Sequence, residues 1–392
     1  MAERKKRHWL SRLSFGSVCL LASALLVLAY VSVIVDPAKA WFFTFFGLLY
    51  PPVLVLTFGL FVWALIRRST MRGLLLAVLL PSFFFAGRYY QPHWKTLEGE
   101  PTLKVLSYNV GLFAHSDGTQ DRLALADSVC AFLLRQDADI LCLQEFYLPS
   151  GENPDRWLRR HFPGYKAEYY LLTGKSGRAG NLTLSRRGVE DRGKEVFEKS
   201  TNMAVWTDVK LDSSTVRIYN CHFESYNISP SALVKGLRND IFLEETGLKM
   251  RRSITSRPKQ VAHVLRSMDK APVRSLAVGD FNDSPLSYTY FRLQRGRKDS
   301  FVKAGKGFGA TYRALWPLLR IDYILYPPGA GSGLLRGAFR PLLRPQSHCG
   351  HVLRNSPRGV SARCMRVTSQ KPGRHCQNWP FLRVMSHSQG RH

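Results

Sequence analysis

The chain has 392 residues, of which 45% are hydrophobic and 12% aromatic, so it can bury a large core and is neither disordered nor collagen-like. Its 7 Cys lack the even, close spacing of a disulfide miniprotein, and Cys130, Cys142 and Cys221 lie in apolar stretches typical of reduced core Cys. The net charge of +28 resembles that of a nucleic-acid-binding protein, but more than half of it lies outside residues 100–329. The total charge therefore says little about what a central site binds.

The first 95 residues are predicted to anchor the chain in a membrane. Three apolar stretches could span a bilayer, namely residues 15–35, 41–66 and 73–90. Pro51 and Pro52 predict a kink in the second stretch, and Tyr89 and Tyr90 could extend the shorter third stretch to an interface. A cleaved signal peptide is the alternative for the first stretch, but its length and the second stretch close behind it favour transmembrane helices.

The distribution of Lys and Arg predicts the orientation of these spans. The basic N-terminus and the basic loop from Arg67 to Arg72 are both expected on the cytoplasmic side. With three spans the rest of the chain lies outside the cytoplasm, whereas with two it lies inside. We favour three spans, because the segments that flank the spans then all agree with the preference of Lys and Arg for the cytoplasmic side. The sequence thus predicts an integral membrane protein with the lipid bilayer as a partner, and we infer no protein partner.

Beyond Pro101 short β-rich runs alternate with amphipathic helices, which predicts a layered α/β domain over residues 100–329. The predicted strands are Leu103–Val110, Asp139–Gln144, Tyr165–Leu172, Asn181–Ser185, Met203–Leu211, Val216–Phe223, Ser275–Val278 and Ile321–Tyr326. The predicted helices are Leu123–Arg135, one within Ser231–Lys249, Gln260–Met268 and Tyr288–Gln294. The polar, basic segment Ser229–Pro258 is predicted to be a mobile loop near a substrate.

Polar side chains occur where several of these strands end. They are Asn109, Glu145, Asn220, His222, Glu224, Asp280, Asn282, Asp283 and Asp322. Ligand-binding and catalytic groups gather at strand ends in layered sheets. An acidic group directly after a buried run is costly unless it is paired or binds a cation. A single such residue is ordinarily a turn, a cap or a surface carboxylate, so the prediction of a site depends on the recurrence.

These residues lie in short motifs that together resemble those of the endonuclease/exonuclease/phosphatase superfamily, which includes deoxyribonuclease I-like nucleases, neutral sphingomyelinases and inositol-polyphosphate phosphatases. The motifs, in the order of the family, are Ser107-Tyr108-Asn109-Val110, Leu143-Gln144-Glu145, Tyr219-Asn220-Cys221-His222-Phe223-Glu224-Ser225, Val278-Gly279-Asp280-Phe281-Asn282-Asp283-Ser284-Pro285, Gly309-Ala310-Thr311-Tyr312 and Arg320-Ile321-Asp322-Tyr323-Ile324. The resemblance covers about residues 102–329. It implies a deoxyribonuclease I-like α/β fold, a two-layer β-sandwich flanked by helices, here preceded by transmembrane helices.

The resemblance also implies roles for the site residues. Asp280 corresponds to the residue that orients or deprotonates the attacking water, and Asn282 to one that helps hold this water and a phosphate oxygen. His222 corresponds to a His that contacts the phosphate and stabilises the charge of the transition state. Asp322 corresponds to the carboxylate that orients a second, C-terminal His.

Glu145, with Asn109 beside it, corresponds to the ligand of a divalent cation. Carboxylate and amide oxygens suit Mg²⁺ or Mn²⁺ better than a soft metal. The expected function is therefore a membrane-anchored, metal-dependent phosphoesterase that hydrolyses a phosphodiester or a phosphomonoester. Its substrate would be a nucleic acid, a phospholipid headgroup or a similar phosphate ester.

The resemblance ends after Asp322. The family closes with a Ser-Asp-His triplet that supplies the second His, whereas Ser347-His348 lacks the Asp, and residues 330–392 contain no Asp or Glu. A catalytically dead phosphate- or nucleic-acid-binding module on the same fold is therefore the alternative function. A basic-tailed DNA-binding protein is a third.

Three explanations of this atypical basic tail stay open. A frameshift near residue 329 would yield a disordered tail without acidic groups or motifs. A genuine Arg-rich tail would bind nucleic acid. A metal site is the third, although its candidate ligands lack the regular spacing of zinc sites; they are Cys349, His351, Cys364, His375 and Cys376. Resequencing codons 320–392 and translating all three frames would identify a frameshift.

Overall fold

The computed structural model describes residues 2–92, 103–114, 122–174, 176–212, 214–226, 240–312, 315–328 and 340–341. The helices are α1 (Ala2–Val31), α2 (Phe43–Leu48), α3 (Tyr50–Ile66), α4 (Met71–Leu79), α5 (Ser82–Ala86), α6 (Arg122–Leu134), α7 (Pro154–His161), α8 (Asp240–Asp269), α9 (Tyr288–Gln294) and α10 (Ser300–Ala304). The strands are β1 (Tyr90–Gln91), β2 (Val105–Asn109), β3 (Ile140–Pro149), β4 (Lys166–Thr173), β5 (Gly177–Ser185), β6 (Val189–Val196), β7 (Met203–Lys210), β8 (Thr215–His222), β9 (Arg274–Asp280), β10 (Lys298–Asp299), β11 (Gly307–Phe308), β12 (Asp322–Tyr326) and β13 (Arg340–Pro341).

Two large sheets form the centre of the domain. One has the strand order β10-β12-β9-β8-β7-β6, and the other has the order β13-β2-β3-β5-β4. Their facing sides share one apolar core, to which the first sheet contributes Ile218 and Val278 and the second contributes Val105 and Ile140. The predicted two-layer α/β fold is therefore confirmed.

Helices cover the outer face of each sheet. On the five-stranded sheet, Leu133 of α6 and Trp157 of α7 belong to the outer core. On the six-stranded sheet, Val261 of α8 and Leu293 of α9 do the same. Both layers are thus buried on two sides, so a polar residue inside them needs a partner.

The inner face of the six-stranded sheet changes from apolar to polar at one edge. Alternate residues of a strand face the same side, so Asp280 continues the inward row of Leu276 and Val278 in β9. In β8, His222 continues the row of Ile218 in the same way. Both strands therefore carry core residues for most of their length and a polar side chain where they end.

A buried amide pair joins the two sheets beneath this edge. The Nε2 of Gln144 donates to the Oδ1 of Asn220 at 2.7 Å, and both side chains are fully buried. The Nδ2 of Asn220 donates to the carbonyl oxygens of Leu143 and Leu182, at 3.2 and 3.0 Å. These hydrogen bonds satisfy the Asn220 amide and fix the separation of the sheets next to the polar edge, whereas the buried Oε1 of Gln144 has no hydrogen-bond partner among the described residues.

All eight predicted strands are present, with shifted ends, and Cys130, Cys142 and Cys221 are free and buried, as predicted. The sequence did not predict β6 or α7. The prediction of a mobile loop within Ser229–Pro258 is wrong for residues 240–258, which belong to the continuous helix α8 despite Pro258. Residues 227–239 lie outside the described residues.

The N-terminal apolar stretches are helical, but only α1 is long and apolar enough to cross a membrane among the described residues. The second stretch divides into α2 and α3, and the third into α4 and α5. The second stretch breaks next to Pro51 and Pro52, as a predicted kink there implies, but the two prolines lie in the first turn of α3 and so begin a new helix instead of bending a continuous one. Proline is tolerated there because the first N–H groups of a helix have no partner within it.

Candidate active site

Three of the predicted site residues share one row of the six-stranded sheet. His222 of β8 pairs in register with Asp280 of β9, and Asp280 pairs with Asp322 of β12. Register partners lie on the same face of a sheet, so the three side chains line the polar edge together. Each is buried, and Asp280 has no exposed surface.

Glu145 reaches this edge from the other sheet through a β-bulge. The pairing of β3 with β5 shifts between Leu143 and Phe146, and Glu145 has a φ of 51°. A left-handed backbone costs a non-glycine residue about 1–3 kcal/mol and is concentrated at functional sites. The extra residue turns the side chain of Glu145 toward Asn109, because a bulge redirects the side chains beside it.

Asn109, at the end of β2, bridges the two sheets. Its Nδ2 donates to the Oε1 of Glu145 at 2.8 Å and to the Oδ2 of Asp280 at 3.0 Å. Its Oδ1 accepts from the backbone N–H of Gly111 at 2.9 Å. One amide group therefore holds a carboxylate from each sheet within two hydrogen-bond lengths of each other.

His222 lies beside Glu145 with an unused nitrogen. Its Nε2 is 3.5 Å from the Oε1 of Glu145, too far for a good hydrogen bond. This nitrogen is buried and has no hydrogen-bond partner among the described residues. A buried polar atom of this kind needs an explanation, and a ligand that binds between the two sheets provides one.

Three hydrogen bonds fix Asn282 in the loop after β9. Its backbone N–H donates to the Oδ1 of Asp280 at 2.9 Å, and its Nδ2 donates to the carbonyl oxygen of Phe223 at 2.9 Å. The backbone carbonyl of Asn282 accepts a hydrogen bond from Arg257. The backbone of Asn282 is left-handed, with a φ of 52°, like that of Glu145. The backbone of Asn282 is therefore strained but held from three sides.

Gly279 allows β9 to approach β8 directly before Asp280. Its φ is +133°, and a Cβ added there would lie 2.0 Å from the carbonyl oxygen of Cys221. Only glycine avoids this collision. Glycine is thus required at position 279, because β8 and β9 approach closely where Asp280 pairs with His222.

Arg257 is a residue near the site that the sequence analysis missed. It is 1% exposed, its Nη1 lies 3.2 Å from the Oδ2 of Asp283, and its guanidinium lies 4.4 Å from the ring centre of Tyr226. The Nη1 also donates to the carbonyl of Asn282. The sequence analysis placed Arg257 only within the polar, basic segment Ser229–Pro258, and nothing in the sequence indicated its contact with Asp283, 26 positions away.

Asp322 is fixed through its backbone. Thr311 Oγ1 accepts from the N–H groups of Ile321 and Asp322, at 3.0 and 3.1 Å. The C-terminal His that Asp322 is expected to orient has no counterpart among the described residues, because Ser347-His348 lies outside them. Direct contacts therefore join five of the six predicted site residues, namely Asn109, Glu145, His222, Asp280 and Asn282. The strand register places the sixth, Asp322, beside Asp280.

The donor atoms at this edge suit a hard cation. No group of three or more His, Cys, Asp and Glu side chains within the described part of the chain could hold a metal ion. Mg²⁺, however, keeps several waters and is commonly held by one or two carboxylates. Glu145 supplies one such carboxylate, and the carboxylate of Asp280 is held near it by the same Asn109 amide. Asn109 directs its Nδ2 at both carboxylates, so its Oδ1 would become a metal ligand only after the side-chain amide rotates by about half a turn.

Comparison with known proteins adds independent findings. A model described as the Endonuclease/Exonuclease/phosphatase family matches residues 106–338, more than half of the chain. A model described as a domain of unknown function, DUF8431, matches residues 11–89. The search of curated proteins returned no match.

Three solved structures resemble the chain at low identity. A humanized TDP2 from D. rerio is 18% identical with a TM-score of 0.41, over 59% of this chain and 86% of that one. An endonuclease/exonuclease/phosphatase family protein from Leptotrichia buccalis is 15% identical with a TM-score of 0.41, over 57% and 87%. Sphingomyelinase C from Streptomyces griseocarneus is 14% identical with a TM-score of 0.40, over 59% and 85%.

Proposed function

This chain belongs to the endonuclease/exonuclease/phosphatase family, and from that premise we propose that it is a membrane-anchored, divalent-metal-dependent phosphoesterase. Members of the superfamily hydrolyse phosphoester bonds. The observation that carries the proposal is the Asn109 amide, which links Glu145 and Asp280 from opposite sheets beside a His222 nitrogen that has no hydrogen bond among the described residues.

Glu145 would hold the cation, with Asn109 and Asp280 beside it. When bound, Mg²⁺ or Mn²⁺ would neutralise charge on the phosphate and lower the pKa of a water molecule. The side chain of Glu145 is 27% exposed, so a hydrated ion could reach it. The interactions of this carboxylate with Asn109 would then orient the ligand, as hydrogen bonds to metal ligands commonly do.

The remaining residues act on the attacking water and the phosphate. Asp280 would accept the proton of the attacking water, because its carboxylate lies at the sheet edge and Asn282 N–H and Asn109 fix its orientation. His222 Nε2 would donate to a phosphate oxygen as charge develops there. Asn282 would hold the water and a second phosphate oxygen, as the resemblance implies.

A phosphate- or nucleic-acid-binding module without catalysis is the second candidate. The observation that favours it is the lack of a Ser-Asp-His triplet after Asp322, since this triplet supplies the second His in the family. A binding module would take up Mg²⁺ and an anionic ligand at the same residues and would release no product.

Removal of the metal separates these two candidates. We expect the full chain, purified in detergent, to hydrolyse bis(p-nitrophenyl) phosphate or p-nitrophenyl phosphate with Mg²⁺, to lose this activity in EDTA and to regain it when Mg²⁺ is restored. Isothermal titration of Mg²⁺ in parallel reports binding without turnover. Mg²⁺ binding with no hydrolysis of either ester would favour the module, whereas hydrolysis that persists in EDTA would contradict the metal dependence.

Arg257 is expected to act as a positioning residue for Asn282. Replacing it with Met keeps the apolar stem but removes the donor to the Asn282 carbonyl, so kcat should fall by about tenfold to a hundredfold, as for small misplacements of catalytic groups. It also leaves the buried Asp283 carboxylate without its cation, so a loss of stability should accompany the loss of activity. The KM should change less, because the ligand-contacting side chains remain.

The control for this prediction is Arg252→Met on the same helix. Arg252 is exposed, and its Nη2 donates to the carbonyl of Lys199 rather than to the site. Steady-state kinetics and thermal unfolding are measured for both variants. A folded Arg257→Met protein with an unchanged kcat would show that Arg257 serves stability alone.

A further inference from the structure

The loop that leaves the candidate site packs directly against the N-terminal helices. Leu286, four residues after Asn282, has no exposed surface and lies in one cluster with Leu26 of α1 and Tyr50 of α3. The hydroxyl of Ser32, one residue beyond α1, donates to the carbonyl oxygen of Leu286 at 3.2 Å. The helices therefore contact the segment that carries Asn282 and are not a remote anchor.

Gly47 makes this contact as close as a backbone allows. A Cβ added to Gly47 of α2 would lie 2.2 Å from the carbonyl oxygen of Leu286 and 2.6 Å from the hydroxyl of Ser32. Any larger residue at this position must displace the loop or the helix, since real Cβ contacts are never so short. Gly47 thus marks a fitted interface between the helices and the loop.

A second set of contacts fixes the same end of the helices to the domain. The Arg88 guanidinium lies 4.8 Å from the ring centre of Phe291 in α9, and the Phe85 ring lies 6.0 Å from that of Phe291. The backbone N–H of Gly309 donates to the carbonyl of Tyr89 at 2.8 Å, and β1 pairs with β11. Two separate parts of the domain are therefore seated on the helices.

The far end of the helices has a different composition. There Phe15 and Cys19 of α1 pack with Ala64 of α3 and Met71 of α4. The connection between α3 and α4 at this end, residues 67–70, begins with Arg67 and Arg68, and Arg72 lies in the first turn of α4. Positively charged flanks favour the cytoplasmic side of a membrane, so this end would be cytoplasmic and the domain would lie on the opposite side.

The end that faces the domain is rich in the aromatic residues that favour a membrane interface. Tyr30 of α1 donates through its hydroxyl to the carbonyl of Val78 and stacks on Phe85, with ring centres 5.3 Å apart. Trp41 lies in the connection after α1, and Tyr89 follows α5. Trp and Tyr rings are enriched at the level of lipid headgroups, which places this end at the outer surface of the bilayer.

We infer that the substrate is a phosphate ester carried by a lipid of the membrane that holds these helices, a phospholipid headgroup; this inference rests on the proposed function. Leu286 lies four positions after Asn282, and four steps along the chain span at most about 14 Å. The site is thus held close to the headgroup layer, which is about 5–8 Å deep on each side of a bilayer. A phosphate at that surface meets Asn282 and Asp280 without leaving the membrane.

The test compares the same full-length protein on membrane-borne and soluble phosphates. The chain is reconstituted with Mg²⁺ into vesicles of phosphatidylcholine, phosphatidylethanolamine and phosphatidylglycerol, and headgroup release is followed by mass spectrometry. Dibutyroyl phospholipids with the same headgroups, bis(p-nitrophenyl) phosphate and a short DNA oligonucleotide are the soluble substrates. Vesicle lipid should be hydrolysed at least about tenfold faster than its dibutyroyl analogue, because the shared membrane raises the effective substrate concentration.

The variant Gly47→Leu tests the interface itself. It should lower hydrolysis of vesicle lipid about tenfold or more, with a smaller loss on bis(p-nitrophenyl) phosphate, since the loop is pushed from its seat. Amide hydrogen exchange of residues 282–291 in vesicles should become faster, which requires no activity. The control is Gly59→Leu in α3, where a Cβ would meet nothing within 4 Å. If Gly47→Leu does not fold, Ser32→Ala removes the hydrogen bond alone.

Each outcome has a defined meaning. Hydrolysis of soluble esters or DNA at rates equal to or above those on vesicle lipid overturns the lipid inference and leaves the proposed function standing. A protein that hydrolyses none of these substrates overturns both. Unchanged exchange of residues 282–291 in Gly47→Leu overturns the role of the interface, whatever the activity.

Discussion

Replacing Asp280 with Asn is expected to lower kcat for phosphoester hydrolysis by about 10²–10⁴-fold, the loss typical of removing a general base. Asp280 is fully buried and accepts hydrogen bonds from the Asn109 side chain and the Asn282 backbone. An amide oxygen can still accept from Asn282, so the fold should persist. An amide cannot take the proton of the attacking water. The KM should change little, because no phosphate contact is removed.

The measurement is steady-state hydrolysis of bis(p-nitrophenyl) phosphate together with thermal unfolding of each protein. Asp212→Asn is the matched control, because its side chain is 86% exposed and the same chemical change occurs away from the site. If Asp280→Asn keeps more than a tenth of the wild-type kcat while remaining folded, another group serves as the base. A loss of folding without the control being affected would instead make Asp280 a structural residue.

Replacing Arg320 with Met should reduce the free energy of unfolding by about 3–5 kcal/mol, the usual cost of removing one partner of a buried ion pair. Arg320 is 1% exposed and binds Asp299 through two nitrogens, at 3.1 and 2.7 Å. Tyr290 also donates to Asp299 through its hydroxyl, at 2.7 Å. The substitution leaves the buried carboxylate of Asp299 without its cation. The substituted position lies two residues before Asp322.

The control is Arg186→Met, which breaks an exposed pair with Asp137. Exposed pairs contribute about 0–1 kcal/mol, so this variant should unfold almost like the wild type. Urea unfolding in mild detergent gives both values. Equal losses in Arg320→Met and Arg186→Met would mean that burial adds nothing to the Arg320 pair.

Acid should reveal the same pair. Burial acts to raise the pKa of Asp299, but Arg320 and the hydrogen bond from Tyr290 outweigh it and hold this pKa below its ordinary value. A carboxyl group with a lowered pKa stabilises the fold fully above its unfolded-state pKa, about 3.9, and this contribution is lost as the pH falls through the folded-state pKa. The deficit of Arg320→Met should therefore be largest near neutral pH and shrink in acid.

The strand-end residues were predictable because each of them continues the alternation of inward and outward residues in its strand. In β9 and β8 the alternation of inward residues leads directly to Asp280 and His222, so the apolar run fixes which face the last residue joins. Glu145 breaks this rule. The sequence ends the strand at Gln144, whereas β3 continues to Pro149 through a bulge that depends on pairing with β5. The direction of the Glu145 side chain therefore could not be derived from the pattern.

Two other features were missed because their cause is distant in the sequence. Strand β6 is mostly polar and exposed, and it forms because it pairs with β7 at the edge of the sheet. Arg257 looked like one of several solvated basic residues, yet it is buried against Asp283 and Asn282. A charged residue among other charges gives no local sign that it will be paired inside the protein.

The hydrogen bond from Ser32 to Leu286 also affects the order of events during synthesis. The two residues are 254 positions apart, and at translation rates of about 5–20 residues per second Ser32 is synthesised roughly 13–50 s before Leu286. During that interval the Ser32 hydroxyl can donate to the carbonyl of Ala29, 2.6 Å away in the last turn of α1. The Ser32 hydroxyl is thus satisfied before its partner exists, and its contact with the domain forms only after Leu286, which follows β9, has been translated.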